Sequence, residues 1–140
     1  MNSIAPFLVA ASAAIVFVLG AIHLLYTFHG PLLRPRDREL QARMEAVSPV
    51  ITRQTTMWKA WVGFNASHSL GVILIGALYL LLATQHMQFL AQARSLLLVG
   101  IAAGFAYAWL AHQYWFRTPF ICVAIATACF LAAFVLLHLA

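Results

Sequence analysis

The chain has 140 residues, 64% of them hydrophobic and only 8% charged, with a mean hydropathy of +0.92 and a formal net charge of +5. This composition belongs to integral membrane proteins and excludes an ordinary soluble domain. A transmembrane helix takes about 20 residues, so four spans with short connections use most of the length and leave no room for a soluble catalytic domain.

The first apolar run, AASAAIVFVLG, has small-x-small steps like those of a secretory signal. No Lys or Arg precedes it, however, and it is too long, so it reads as a retained span over about residues 6–28. Ser3 is placed to cap this helix, Pro6 fits its first turn, and Gly30-Pro31 ends it. On a helical wheel Ser12, Val16, Gly20, His23 and Thr27 share one side, a small and polar stripe that should face protein and not lipid.

Residues 29–58 form the polar loop, which carries all three acids, Asp37, Glu39 and Glu45, with Arg34, Arg36, Arg38, Arg43 and Arg53. Arg36 to Val47 can form a short helix with Leu40, Met44 and Val47 on one face, resting on the end of the bundle, and with a Glu39–Arg43 pair at i,i+4. Ser48-Pro49 reads as an N-cap followed by an N1 proline. A second helix can therefore begin there and run unbroken to about Ala83, with its membrane span over about residues 59–83.

Residues 83–93, with His86, form a short connection. The third span, about 94–116, repeats small residues at Gly100, Gly104 and Ala108 on the way to His112, the pattern that lets membrane helices approach closely. Arg117-Thr118-Pro119 then predicts a tight turn, with Thr118 as N-cap, so that the third and fourth spans form an antiparallel hairpin. The fourth span, about 119–139, holds Thr127, His138 and two cysteines. Cys122 and Cys129 are about 10 Å apart along one helix, too far to bridge each other, and read as small packing residues. His29, His86 and His138 read as solvated or interfacial. The predicted fold is an all-α integral membrane protein, an up-down four-helix transmembrane bundle with one polar, partly helical cytosolic loop.

Six of the eight Lys and Arg residues lie in the first loop or at Lys59, and Arg117 lies in the third connection. Cytoplasmic loops carry the basic excess, which puts both basic connections in the cytosol and both termini outside. Arg94 disagrees but can snorkel from a helix end. Topology and attraction to lipid headgroups thus account for the charge, and nothing points to nucleic acid.

That orientation sets His23, His68 and His112 in the cytosolic half of three different spans. Asn65, Ser69, Trp61 and Gln113 accompany them as candidate ligand-binding residues. Three imidazoles can hold a transition metal or haem iron, and imidazole can also bond a small ligand or relay a proton. No Asp or Glu occurs in any span, so the partner that orients a ligand histidine would be Asn65, Ser69, Gln113 or a backbone carbonyl. The same absence argues against carboxylate-driven transport. The plainer reading makes His68 and Asn65 interhelical glue and Trp58, Trp61, Trp109 and Trp115 an aromatic belt. Two further functions compete with a metal, haem or small-ligand site. One is an accessory subunit, joining a second copy or a larger membrane complex through Gly63, Ser67 and Gly71 or through Gly100, Gly104 and Ala108. The other is a membrane enzyme acting on a lipid or isoprenoid.

GAIH at the end of the first span, PRDREL in the loop and WKAWVGFNASHSLG opening the second resemble a family of small bacterial four-span membrane proteins to which no activity is attached. The resemblance covers about the first two thirds of the chain and is most specific at residues 63–71. It implies the four-span architecture and a prokaryotic cytoplasmic (inner) membrane, and nothing about a cofactor or catalytic residue.

Overall fold

Inside a bilayer every backbone N–H and C=O must be bonded within the chain, so a long apolar run folds as one uninterrupted helix. The computed structural model, which describes residues 4–139, obeys this rule at all four runs. Its helices are α1 (Ala5–Phe28), α2 (Arg38–Ala46), α3 (Met57–Gln85), α4 (Met87–Gln92), α5 (Arg94–Tyr114) and α6 (Arg117–His138). Helices α1, α3, α5 and α6 are long and apolar enough to cross a membrane, and the described residues contain no strand. The expected class, an all-α four-helix membrane bundle, is the one found. The cap expected of Ser3 lies outside the described residues.

The chain divides into two compact units. One comprises the described residues within Met1–Leu19 and Val72–Ala140, the other Gly20–Gly71. In the first unit α5 and α6 pack as the expected hairpin, in antiparallel register: a side chain added at Gly100 would strike the ring of Phe130, and one at Gly104 would strike Thr127. These two glycines are therefore spent on packing inside the chain. Tyr79 of α3 stands edge-on to Phe130, with ring centres 4.8 Å apart. Its hydroxyl donates to the Leu96 carbonyl at 2.6 Å. Gly76 brings α3 against the backbone of Phe17 in α1. Thr127 satisfies its own hydroxyl by donating to Val123 O, one turn back.

Two details of this unit differ from expectation, and a third, at His138, adds to it. The connection after α3 is helical: α3 runs on to Gln85 and α4 follows, because Met87 and Leu90 have a core to enter and are both buried. Helix α6 starts at Arg117 with Phe116 in the N-cap position and no side-chain cap bond, so Thr118 lies inside its first turn. His138, expected to be solvated or interfacial, is half-buried at the last position of α6. Its ring nitrogens lie 3.2 Å from Phe134 O and 3.0 Å from Ala91 O, and its ring stacks on Phe134, joining α6 to α4.

In the second unit α1 ends at Phe28 and Gly30 turns the chain with φ of 83°, a left-handed conformation that favours glycine. Asp37 caps α2 by accepting from the Glu39 and Leu40 amides. The expected Glu39–Arg43 pair is present at 4.0 Å. The apolar face of α2 is not buried: no residue of α2 is buried, Met44 is half-buried, and Leu40 and Val47 are about half exposed (48% and 54%). Helix α3 does not begin at Ser48-Pro49 either. Residues 48–56 hold the β-branched run Val50, Ile51, Thr52, Thr55, Thr56, which disfavours helix, and they form a loop closed by a bond from the Met57 amide to Val47 O. Thr56 supplies the cap that begins α3, its hydroxyl accepting from the Lys59 amide at 3.3 Å.

Candidate functional site

The site lies within the second unit, where the C-terminal turns of α1 carry His23 and Thr27 and the first half of α3 carries Trp61, Asn65, His68 and Ser69. Trp61, Asn65 and Ser69 recur every four residues and so lie one above another along α3. Asn65 and Ser69 are both buried, with 7% and 0% exposure, among otherwise apolar residues. Their polar atoms must therefore find partners in the protein.

Those partners fix the chemistry of the cluster. The Asn65 amide donates from Nδ2 to Trp61 O at 2.8 Å, which turns its Oδ1 toward α1, where His23 Nε2 lies 2.9 Å away. An amide oxygen can only accept, so Nε2 of His23 carries the proton. In the neutral imidazole this leaves Nδ1 of His23 as the nitrogen with a lone pair. Ser69 donates to Asn65 O at 2.7 Å, and Thr27 donates to His23 O at 2.8 Å. Both hydroxyls are thus used on their own helices and brace the two residues that meet. Among the described residues no buried side-chain nitrogen or oxygen is left without a partner.

His68 approaches the same place. Its ring centre is 5.6 Å from that of His23, with the planes 80° apart, and Phe64 lies parallel to it on α3, 6.3 Å away. Two of the three expected histidines thus meet. His112 belongs to the other unit, where it is exposed and its ring lies 5.5 Å from Phe120. Gln113 is exposed beside it. Among the described residues no three His, Cys, Asp or Glu side chains converge as metal donors.

A shallow open cleft shares Asn65 with this cluster and is lined by Tyr26, Thr27, Gly30, Arg34, Trp58 and Trp61 among others. Trp61 fixes its wall by donating from Nε1 to Leu33 O at 3.1 Å, which ties the returning loop to α3. Two features of this unit were not fixed by the sequence: which histidine Asn65 meets, and the presence of Arg34 in one cleft with Trp58 and Trp61. The first depends on how α1 and α3 are rotated about their axes. The second was partly signalled by Gly30-Pro31, which reverses the chain just before Arg34. No family model, curated protein or solved structure matches the chain.

Proposed function

We propose that this is a small multi-pass membrane protein of the prokaryotic cytoplasmic membrane that binds a divalent transition-metal ion at the His23–His68 pair. The carrying observation is the 2.9 Å bond from His23 Nε2 to Asn65 Oδ1. Metal-ligating imidazoles characteristically donate their second N–H to an oxygen acceptor, which fixes the tautomer and makes the other nitrogen a better ligand. Asn65 supplies that acceptor in a span without carboxylates. The spacing also suits the reading. With metal–nitrogen bonds of about 2.0 Å, two imidazoles on one tetrahedral ion have ring centres about 5 to 5.5 Å apart, and the pair lies at 5.6 Å. A haem held between two axial imidazoles would set them about 6.4 Å apart on opposite faces, which makes a single ion the better fit.

Two protein donors leave about two positions of a tetrahedral ion for water or an incoming ligand. Such a site suits exchange of its metal and not permanent structural binding. The basic loop supports an orientation with residues 29–58 in the cytosol and both termini outside. Zinc titration of the protein in mild detergent tests the proposal: one ion per chain should bind, and His23→Ala and His68→Ala should each weaken it at least tenfold. Undiminished binding in both variants, or none by the wild type, would refute it.

A second reading, association with another membrane helix, draws on a separate observation. An added side chain at Gly63 or Gly71 would meet nothing within 4 Å, so the stripe Gly63, Ser67, Gly71 on α3 is open for the close approach that small residues allow. Of the two expected docking stripes this is the one left open, since Gly100 and Gly104 are covered by α6.

A further inference from the structure

We infer that the cleft bounded by Tyr26, Arg34, Trp58 and Trp61 is a binding site for the phosphate headgroup of an anionic phospholipid. Arg34 is the one ionised side chain in its lining, and no carboxylate lines it. The ion pair among the described residues joins Arg43 to Glu39, and Arg34 enters none. A guanidinium presents a planar fork of donors that matches phosphate oxygens, and the cleft sets it beside two indoles and a phenol, which can cover the glycerol and upper acyl region of a lipid.

Depth supports a lipid as the source of that phosphate. Helix α3 has 29 residues, so it is about 43 Å long, which matches a bilayer including its headgroup layers. Trp58 and Trp61 lie in its first turns and Tyr26 in the last turn of α1, which places the cleft at headgroup level, where Trp and Tyr are enriched. In the same unit Val50 and Ile51 are almost wholly exposed, at 109% and 91%. Two adjacent bare aliphatic side chains in a basic loop fit a loop lying on the membrane surface, with its apolar tip in the interface and its cations among headgroups.

The inference stands apart from the metal reading, because it needs Arg34 and the indoles and neither imidazole. Native mass spectrometry of the full chain with equal amounts of phosphatidylglycerol and phosphatidylcholine tests it. The wild type should retain one phosphatidylglycerol about fivefold more than phosphatidylcholine, the factor expected for one cation at the surface. Arg34→Gln should abolish the preference. Arg53→Gln, an exposed loop cation outside the cleft, should preserve it, and so should His23→Ala. Equal loss in Arg34→Gln and Arg53→Gln would reduce the effect to diffuse surface charge and overturn the site. Displacement of the lipid by millimolar inorganic phosphate would make free phosphate the ligand and overturn the lipid assignment.

Discussion

Replacing Gly76 by alanine should unfold the protein more readily, although alanine is ordinarily the better helix former. The new methyl would lie 2.7 Å from Phe17 N, 2.8 Å from Phe17 Cα and 2.9 Å from Phe17 Cβ. Ordinary contacts of this kind are about 3.5 to 4.0 Å, so α1 and α3 must part locally by about 1 Å and lose contacts beside the new one. Overpacking of this kind costs about 1 to 3 kcal/mol, and main-chain atoms cannot rotate away, which puts this case near the top of the range. Better helix propensity returns about 1 kcal/mol. The net loss is about 2 kcal/mol, roughly thirtyfold in the folding equilibrium. Unfolding in mixed micelles with increasing denaturing detergent, followed by tryptophan fluorescence, would measure it. Gly63→Ala is the matched control: nothing lies within 4 Å of the added carbon, so stability should hold or rise by up to about 1 kcal/mol. Phe17→Ala should not rescue Gly76→Ala, because the three contacting atoms survive that truncation. A Gly76→Ala protein as stable as wild type, or one rescued by Phe17→Ala, would refute the reasoning.

Gly104→Ala meets only a side chain, Thr127, at 2.5 Å from Oγ1. It should therefore lose about 1 kcal/mol, and Thr127→Ala should recover most of this in a double-mutant cycle read by the same unfolding assay; additive losses would contradict the contact. Tyr79→Phe removes the donor to Leu96 O and keeps the ring on Phe130. It should cost about 1 kcal/mol, and an unchanged midpoint would show that the bond contributes nothing.

Hydropathy alone located the four long helices, because each must be continuous to satisfy its backbone in lipid. The α5–α6 hairpin was legible in the turn signal at Arg117-Thr118-Pro119, although the turn itself falls just before it at residues 115–116, and in Gly100 and Gly104. That the same glycines serve α6 and no outside partner was not legible, since a small-residue stripe does not say whose helix it meets. Ser48-Pro49 misled for a physical reason: a valid start signal is overruled by the β-branched residues that follow, and Thr56 begins the helix eight residues later. The partner of His138 was not legible because the carbonyl it meets at Ala91 lies 47 positions away in sequence.

The polar cluster was legible in kind but not in pairing. Depth along the spans brought His23, His68 and His112 to one level, but depth leaves the rotation of each helix open. The structure joins His23 to Asn65 and sets His68 beside them, while His112 lies against Phe120. The lack of a carboxylate in any span left Asn65, Ser69, Gln113 or a backbone carbonyl as possible histidine partners, and Asn65 is the one that meets His23.

Nitrogen NMR of histidine-labelled protein titrated with zinc tests the proposed metal site most directly. Binding should shift Nδ1 of His23 and one nitrogen of His68 together, at one ion per chain, while the proton on His23 Nε2 stays in its bond to Asn65. Zinc that moves His112 or His86 and leaves His23 and His68 unchanged would contradict the account.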